Sequence, residues 1–170
     1  PGRIDDGAVE SERQRVLAPL DRPHGIQPHL LEYKLRRHVN DYLQPPKSAH
    51  RLERGLDYFV RASEEVTQLG ATDPHDLMRA LECGFIRDCA EMAARASLFR
   101  EESRWGFYHY RQDFPEIDDE NWFVHVNLKL GADGSMNLFK RPVEPYVVPL
   151  DETELRNYRR IRIPAEPAIA

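Results

Sequence analysis

Residues 73–101 read DPHDLMRALECGFIRDCAEMAARASLFRE, and this stretch decides the fold. Asp73 is a good helix cap, Pro74 suits the first helical position, and Asp76 favours the positive end of the helix dipole. The spacing predicts one helix running to about Glu101, roughly 40 Å long at about 1.5 Å per residue. Leu81, Phe85, Met92, Ala96 and Phe99 form its main apolar stripe. Ile86, Ala90, Ala93 and Ser97 form a second stripe of mostly small side chains. Small side chains let another backbone approach closely. That second face packs on the first helix, meets an external partner, or simply reflects alanine's helix propensity.

Upstream, three more helices are expected. A charged one runs from Ala8 to about Leu20, and Asp21 to Gly25 make a turn. Pro28 opens a second helix whose Leu31, Leu35, Val39 and Tyr42 share a face, and Pro45-Pro46 stop it. The third spans about Ser48 to Leu69, with Leu52, Leu56, Phe59, Ser63 and Val66 as its stripe and Gly70 as its stop. Downstream the period changes from helix to strand. Trp122, Val124, Val126, Leu128 and Leu130 alternate with polar and aromatic neighbours. Gly131 to Gly134 turn, and Ser135 to Arg141 return as a second strand. The expected fold is therefore mainly α: an antiparallel three-helix bundle, spectrin-repeat-like, with a preceding short helix, a C-terminal β-hairpin and an extended tail. The expected segments are 1–27 (helix and turn), 28–102 (bundle), 103–142 (polar-aromatic loop and hairpin) and 143–170 (extended Pro-rich tail, with a helical turn near 151–160).

Composition narrows the function. The 170 residues carry a net charge of -5, with both signs interspersed, which argues against nucleic-acid binding. No apolar run approaches the roughly 20 residues that span a bilayer. Cys83 and Cys89 lie on one predicted helix, about 9 Å apart in rise, too far for a disulfide. A reduced, cytoplasmic setting is expected, and no CxxC or HExxH motif suggests a metal. No glycine-rich nucleotide loop occurs. The chain begins Pro1-Gly2 and reads as a fragment of something longer.

The chemistry-bearing side chains cluster in Glu101–His125, EESRWGFYHYRQDFPEIDDENWFVH. If the segment is extended, His109, Arg111 and Asp113 project to one side. Such a trio binds an anion, moves a proton, or pins a loop through charge-assisted hydrogen bonds. Arg104 is suited to grip a carboxylate or phosphate, the last helical carbonyls, or Asp113. Ser103 has no base beside it in sequence. Asp118-Asp119-Glu120 lack the spacing of a calcium loop. Trp105 and Trp122 stack on a planar ligand or fill a seam between packed elements.

Glu102-Ser103-Arg104-Trp105-Gly106, His109-x-Arg111-x-Asp113-x-Pro115 and Asp118-Asp119-x-Asn121-Trp122 with His125 resemble a signature near the C-terminus of succinate dehydrogenase and fumarate reductase flavoprotein subunits. Trp105 and the Tyr108-His109-Tyr110 run lean toward the branch with the adenylylsulfate reductase alpha subunit. Arg141-Pro142-Val143 resembles that family's closing strand. The resemblance implies a three-helix C-terminal domain packed against a large flavin-binding domain of the same polypeptide, near an iron–sulfur subunit. It implies FAD in the parent enzyme and no cofactor, metal or catalytic residue in this chain, since the family's substrate-binding motifs have no counterpart here. Arg104, Trp105, His109, Arg111, Asp113, Asn121, Trp122 and His125 are then docking residues. Localisation would be cytoplasmic, peripheral to the membrane through partners. Two other readings stand beside this one. The first is a stand-alone helical interaction module that dimerises or holds a partner. The second is a small acid/base enzyme using His109 and Asp113.

Overall fold

A computed structural model of the chain describes residues 5–143. They form two compact units. One comprises residues up to 43 and 54–93; the other comprises 44–53 and those from 94 on.

In the first unit, helix α1 (Asp6–Leu17) is capped by Asp5, whose side chain accepts the Gly7 N–H at 3.0 Å. None of its residues is buried. Helix α2 (Pro28–His38) runs into a single π turn, Val39–Leu43. A π turn holds more residues than an α turn. The inward position therefore falls on Leu43, not on the expected Tyr42, and Pro28, Leu31, Leu35 and Leu43 are the buried residues of this stretch. Helix α3 (Ala49–Thr67) and helix α4 (Pro74–Phe99) follow, and both contribute residues to each unit.

Contacts within the first unit set the helix directions. Lys34 Nζ donates to Glu65 at 3.0 Å, and the His38 ring stacks on Tyr58 with centroids 3.5 Å apart. Residue numbers rise on α2 as they fall on α3, so the pair is antiparallel. Helix α4 meets α2 where the Cys83 thiol donates to the Pro28 carbonyl at 3.4 Å, and it meets α3 where Gly84 faces Val66. Burial pushes the Cys83 thiol up to about 11, which keeps it protonated. The connections are held as tightly. Ile26 N donates to Gln68 O and Gly70 N to Ile26 O, each at 2.9 Å. A Cβ on Gly70 would lie 2.0 Å from the Arg22 carbonyl, so only glycine fits that crossing.

The expected stripe of α4 faces inward only in part: Leu81, Ala96 and Phe99 are half-buried. Phe85 is 61% exposed and Met92 37% exposed, whereas Ala80, Cys83 and Ala90 are buried. The cause is steric: neighbouring backbones come too near this face for large side chains, and its small residues take the inward positions. The Cys83–Pro28 contact shows how near they come. Of the second expected stripe, Ala90 and Ser97 are buried and Ala93 is exposed.

In the second unit, Lys47 N donates to Tyr110 O at 2.8 Å and Gln112 N to Lys47 O at 2.7 Å, which ties the 44–53 stretch to the loop after α4. The loop leads through a one-turn helix α5 (Asp119–Trp122) into strands β1 (Val124–Leu130) and β2 (Met136–Pro142). The strands are antiparallel, with Val124 opposite Pro142 and Leu130 opposite Met136. Gly134 takes the left-handed turn position at φ 79°. Trp122, expected in the strand, instead ends α5, because Asp118 caps that turn through the Asn121 N–H at 3.0 Å. The extended tail and its helical turn near 151–160 lie outside the described residues.

Large apolar side chains should thus differ sharply in worth. Phe59→Ala, at a site with no solvent exposure, should cost about 3–5 kcal/mol in urea unfolding. Phe85→Ala should cost less than about 0.5 kcal/mol. Equal losses would put the large residues of α4 back in a core.

Candidate functional site

The last four carbonyls of a helix lack intrahelical partners. At the end of α4, Arg111 supplies donors for two of them and for the carbonyl of Arg100 just beyond. Its Nη1 donates to the carbonyls of Ser97, Leu98 (3.3 Å) and Arg100 (3.0 Å), while Nε and Nη2 grip Asp113 bidentately at 2.8 and 2.7 Å. Arg111 is 1% exposed, so this guanidinium is a buried clamp. Asp113 also accepts the Ala49 N–H at 2.9 Å. The Arg111 guanidinium foremost, with the Ala49 N–H, holds its carboxyl down at about 2. Ser103 is fully buried; its hydroxyl donates to Phe114 O at 2.7 Å and accepts from Arg111 N at 2.8 Å. It is a backbone spacer and not a poised nucleophile.

Glu102 forms a second node. It has no solvent exposure and accepts from Arg100, from Arg104 Nε and Nη2 at 2.7 and 2.8 Å, and from the Asp118 N–H at 3.0 Å. Arg104 Nη2 reaches Asp119 as well, at 2.7 Å. Arg100 donates to the carbonyls of Trp122 (3.0 Å) and Val124 (2.6 Å). The guanidinium of Arg100 lies 5.6 Å from the Trp122 ring centroid and 5.9 Å from that of Trp105. Lys140 Nζ caps the Trp122 ring at 3.5 Å and donates to Asn121 O at 3.1 Å.

These groups frame an open cleft of about 480 Å³, lined by Arg100, Arg104, Trp105, His109, Trp122, Phe123 and His125 among others. His109 is 8% exposed, and its Nε2 has no hydrogen-bond partner among the described residues. Burial, then the nearby cations Lys47, Arg100 and Arg111, push its imidazole down to about 4. It is neutral near pH 7 and too weak a base for proton abstraction there. Asp113, its expected catalytic companion, has both oxygens engaged by Arg111.

Of the eight residues singled out in the sequence, five line this one cleft: Arg104, Trp105, His109, Trp122 and His125. Arg111 and Asp113 form the clamp instead. Asn121 is exposed and serves α5, its Nδ2 donating to Asp118 at 2.9 Å. Arg104 takes neither the helical carbonyls nor Asp113. The carbonyls go to Arg111 because the loop carries that side chain back under the helix end. Sequence reasoning missed Arg100 and Lys47, and it named Glu102 within the signature without a role. The alternation Arg100-x-Glu102-x-Arg104 at the helix end was the available signal for Arg100 and for the role of Glu102. Lys47 had none, being brought in only by its pairing with the loop, where its Nζ donates to Ser97 Oγ at 3.0 Å.

Both perturbed groups make stability fall on acidification. His109 titrates near 6.5 when unfolded and near 4 in the fold, so its contribution is present above pH 6.5 and lost as pH falls toward 4. That loss is about 3 kcal/mol. Asp113 adds a further loss from about pH 4 down through its folded value of about 2. In urea unfolding against pH, His109→Gln should flatten the first slope and Asp113→Asn the second. Parallel profiles for wild type and variants would contradict this assignment.

A protein-family model described as the fumarate reductase flavoprotein C-terminus matches residues 32–158, more than half of the chain. The adenylylsulfate reductase alpha subunit of Megalodesulfovibrio gigas is 32% identical over 101 residues, 59% of this chain and 15% of that protein. The fumarate reductase flavoprotein subunit of Haemophilus influenzae is 22% identical over 150 residues, 83% of this chain and 25% of that protein. The chain thus spans about a quarter or less of these curated relatives. Among solved structures, adenylylsulfate reductase of Archaeoglobus fulgidus superposes with a TM-score of 0.82 at 29% identity, over 89% of this chain and 27% of that one. Quinol fumarate reductase of E. coli, 21% identical with a TM-score of 0.72 over 87% of this chain and 27% of that one, shares the fold. With the helical bundle, the hairpin and the signature segment between them in place, the chain belongs to the family of C-terminal domains of fumarate reductase-type flavoprotein subunits.

Proposed function

We propose that this chain is the non-catalytic C-terminal domain of an FAD-dependent oxidoreductase. In this proposal the face bearing Arg104, Trp105, His109, Trp122 and His125 docks on the flavin-binding domain of the same polypeptide. The observation that carries the proposal is the conformation of Trp105. It sits in the left-handed region at φ 58° while 58% exposed. For a bulky residue that backbone costs on the order of 1 kcal/mol or more, and in the isolated chain the exposed indole gains little in return. The conformation is braced by Arg104 N donating to His109 O at 2.9 Å and Tyr108 N to Trp105 O at 3.3 Å. Tyr108 beside it is 87% exposed. Aromatic side chains held out on a rigid, charge-braced base are what interface anchors look like. Arg111, Asp113 and Asn121 support that base from behind.

FAD does not fit the described residues of this chain. Among the described residues no strand feeds a glycine-bearing turn into a helix, the arrangement that cradles a dinucleotide pyrophosphate; Gly131 and Gly134 belong to the hairpin turn. FAD would therefore be held by the flavin-binding domain. An iron–sulfur subunit is the second partner in this proposal. No helix among the described residues is long and apolar enough to cross a membrane. We place the parent enzyme in the cytoplasm, at a membrane only through partners.

Amide hydrogen exchange compares the isolated chain with the whole parent polypeptide. Exchange across 103–125 should be slower in the parent, and equal rates would remove the docking role. Purified chain should show no flavin absorbance and no dye-linked dehydrogenase activity. One FAD per chain would overturn the assignment.

A further inference from the structure

We propose that the cleft beside Trp105 is a receptor for a single carboxylate, carried by an Asp or Glu side chain of the docked flavin-binding domain. The site rests on the geometry of this chain, and the source of the carboxylate rests on the docking proposed above. Three independent observations converge.

His109 lines the cleft, is more than nine-tenths buried, and has an Nε2 without a hydrogen-bond partner among the described residues. A buried ring nitrogen in that condition calls for a partner beyond the described residues. Arg104 lines the same cleft and spends Nε and Nη2 on Glu102 and Asp119. Its Nη1 makes no hydrogen bond among the described residues, so two donors remain. The charges do not cancel either. Among the described residues, Lys47, Arg100, Arg104, Arg111 and Lys140 stand against Glu102, Asp113, Asp118 and Asp119, which leaves one positive charge. A carboxylate restores the balance, whereas a phosphate dianion would overshoot it. The rings of Trp105, Trp122 and Phe123 flank the site, and a domain docked over them would keep water from competing for such charge-assisted bonds. An anion seated there would also offset the cations that oppose protonation of His109.

The test uses the 170-residue chain. The imidazole nitrogens of His109 and the indole N–H of Trp105 are followed by NMR during titration with sodium acetate, with sodium chloride at equal ionic strength as control. Acetate should give a saturable shift at both and raise the titration midpoint of His109. Arg104→Gln should weaken acetate binding about tenfold, read only where its near-ultraviolet circular dichroism matches that of wild type. His109→Gln, read at Trp105, serves where Arg104→Gln fails to fold, with the same loss expected. A response to acetate no larger than that to chloride overturns the proposal. Slower exchange of 103–125 in the parent would then still support docking. Saturable acetate binding with equal exchange in chain and parent overturns the flavin-domain source, leaving a site for a free carboxylate.

Discussion

A carboxylate taken wholly out of water costs several kcal/mol unless it is fully paired, and Glu102 is such a group, with 0% exposure. Satisfying it organises the second unit. Two arginines from the end of α4 and the start of the loop converge on it, and the Asp118 N–H closes the remaining side. Those arginines in turn anchor the downstream elements: Arg104 takes Asp119 at the start of α5, and Arg100 takes the carbonyls of Trp122 and Val124 where α5 gives way to β1. One buried charge thereby fixes a helix end, a helical turn and the entry to a hairpin. The Arg111–Asp113 clamp does the same for the other side of the loop.

The two units are stabilised by different physics. In the first, buried Leu31, Leu35, Phe59, Leu69 and small residues of α4 make an ordinary apolar core. In the second, the buried side chains include Arg100, Glu102, Ser103, His109 and Arg111. A two-stranded hairpin is marginal in water by itself, and this one is anchored through charge-assisted bonds to backbone carbonyls. Polar networks of this kind define one geometry sharply, because a half-satisfied member is costly. That suits the proposed docking face, on which Trp105 and Tyr108 are held in a fixed arrangement with their rings left for contact.

Much of this was legible in the sequence. Asp73-Pro74 marks the start of α4, Pro28 the start of α2, and alternation the hairpin, because caps, prolines and period are local signals. The family signature was legible too, since its residues lie within one short segment. Three features were not. The direction of the α4 stripe depends on how close its neighbours come, which the helical period does not contain; hence Phe85 faces out and Cys83 in. The π turn after α2 moves burial to Leu43 through a local insertion that a 3.6-residue period cannot register. Lys47 enters the site only through pairing with a loop more than sixty residues away, a tertiary fact. Trp122 fell between two periods, and the Asp118 cap decided it.

The central claim is that buried charge pairing around Glu102 holds the 103–125 face in shape without help from a partner. Glu102→Gln tests it, through urea unfolding and the near-ultraviolet circular dichroism of the two tryptophans in the isolated chain. The account predicts a loss of about 3–5 kcal/mol together with a collapsed tryptophan signal. A variant within about 0.5 kcal/mol of wild type, with its tryptophan spectrum intact, would contradict it.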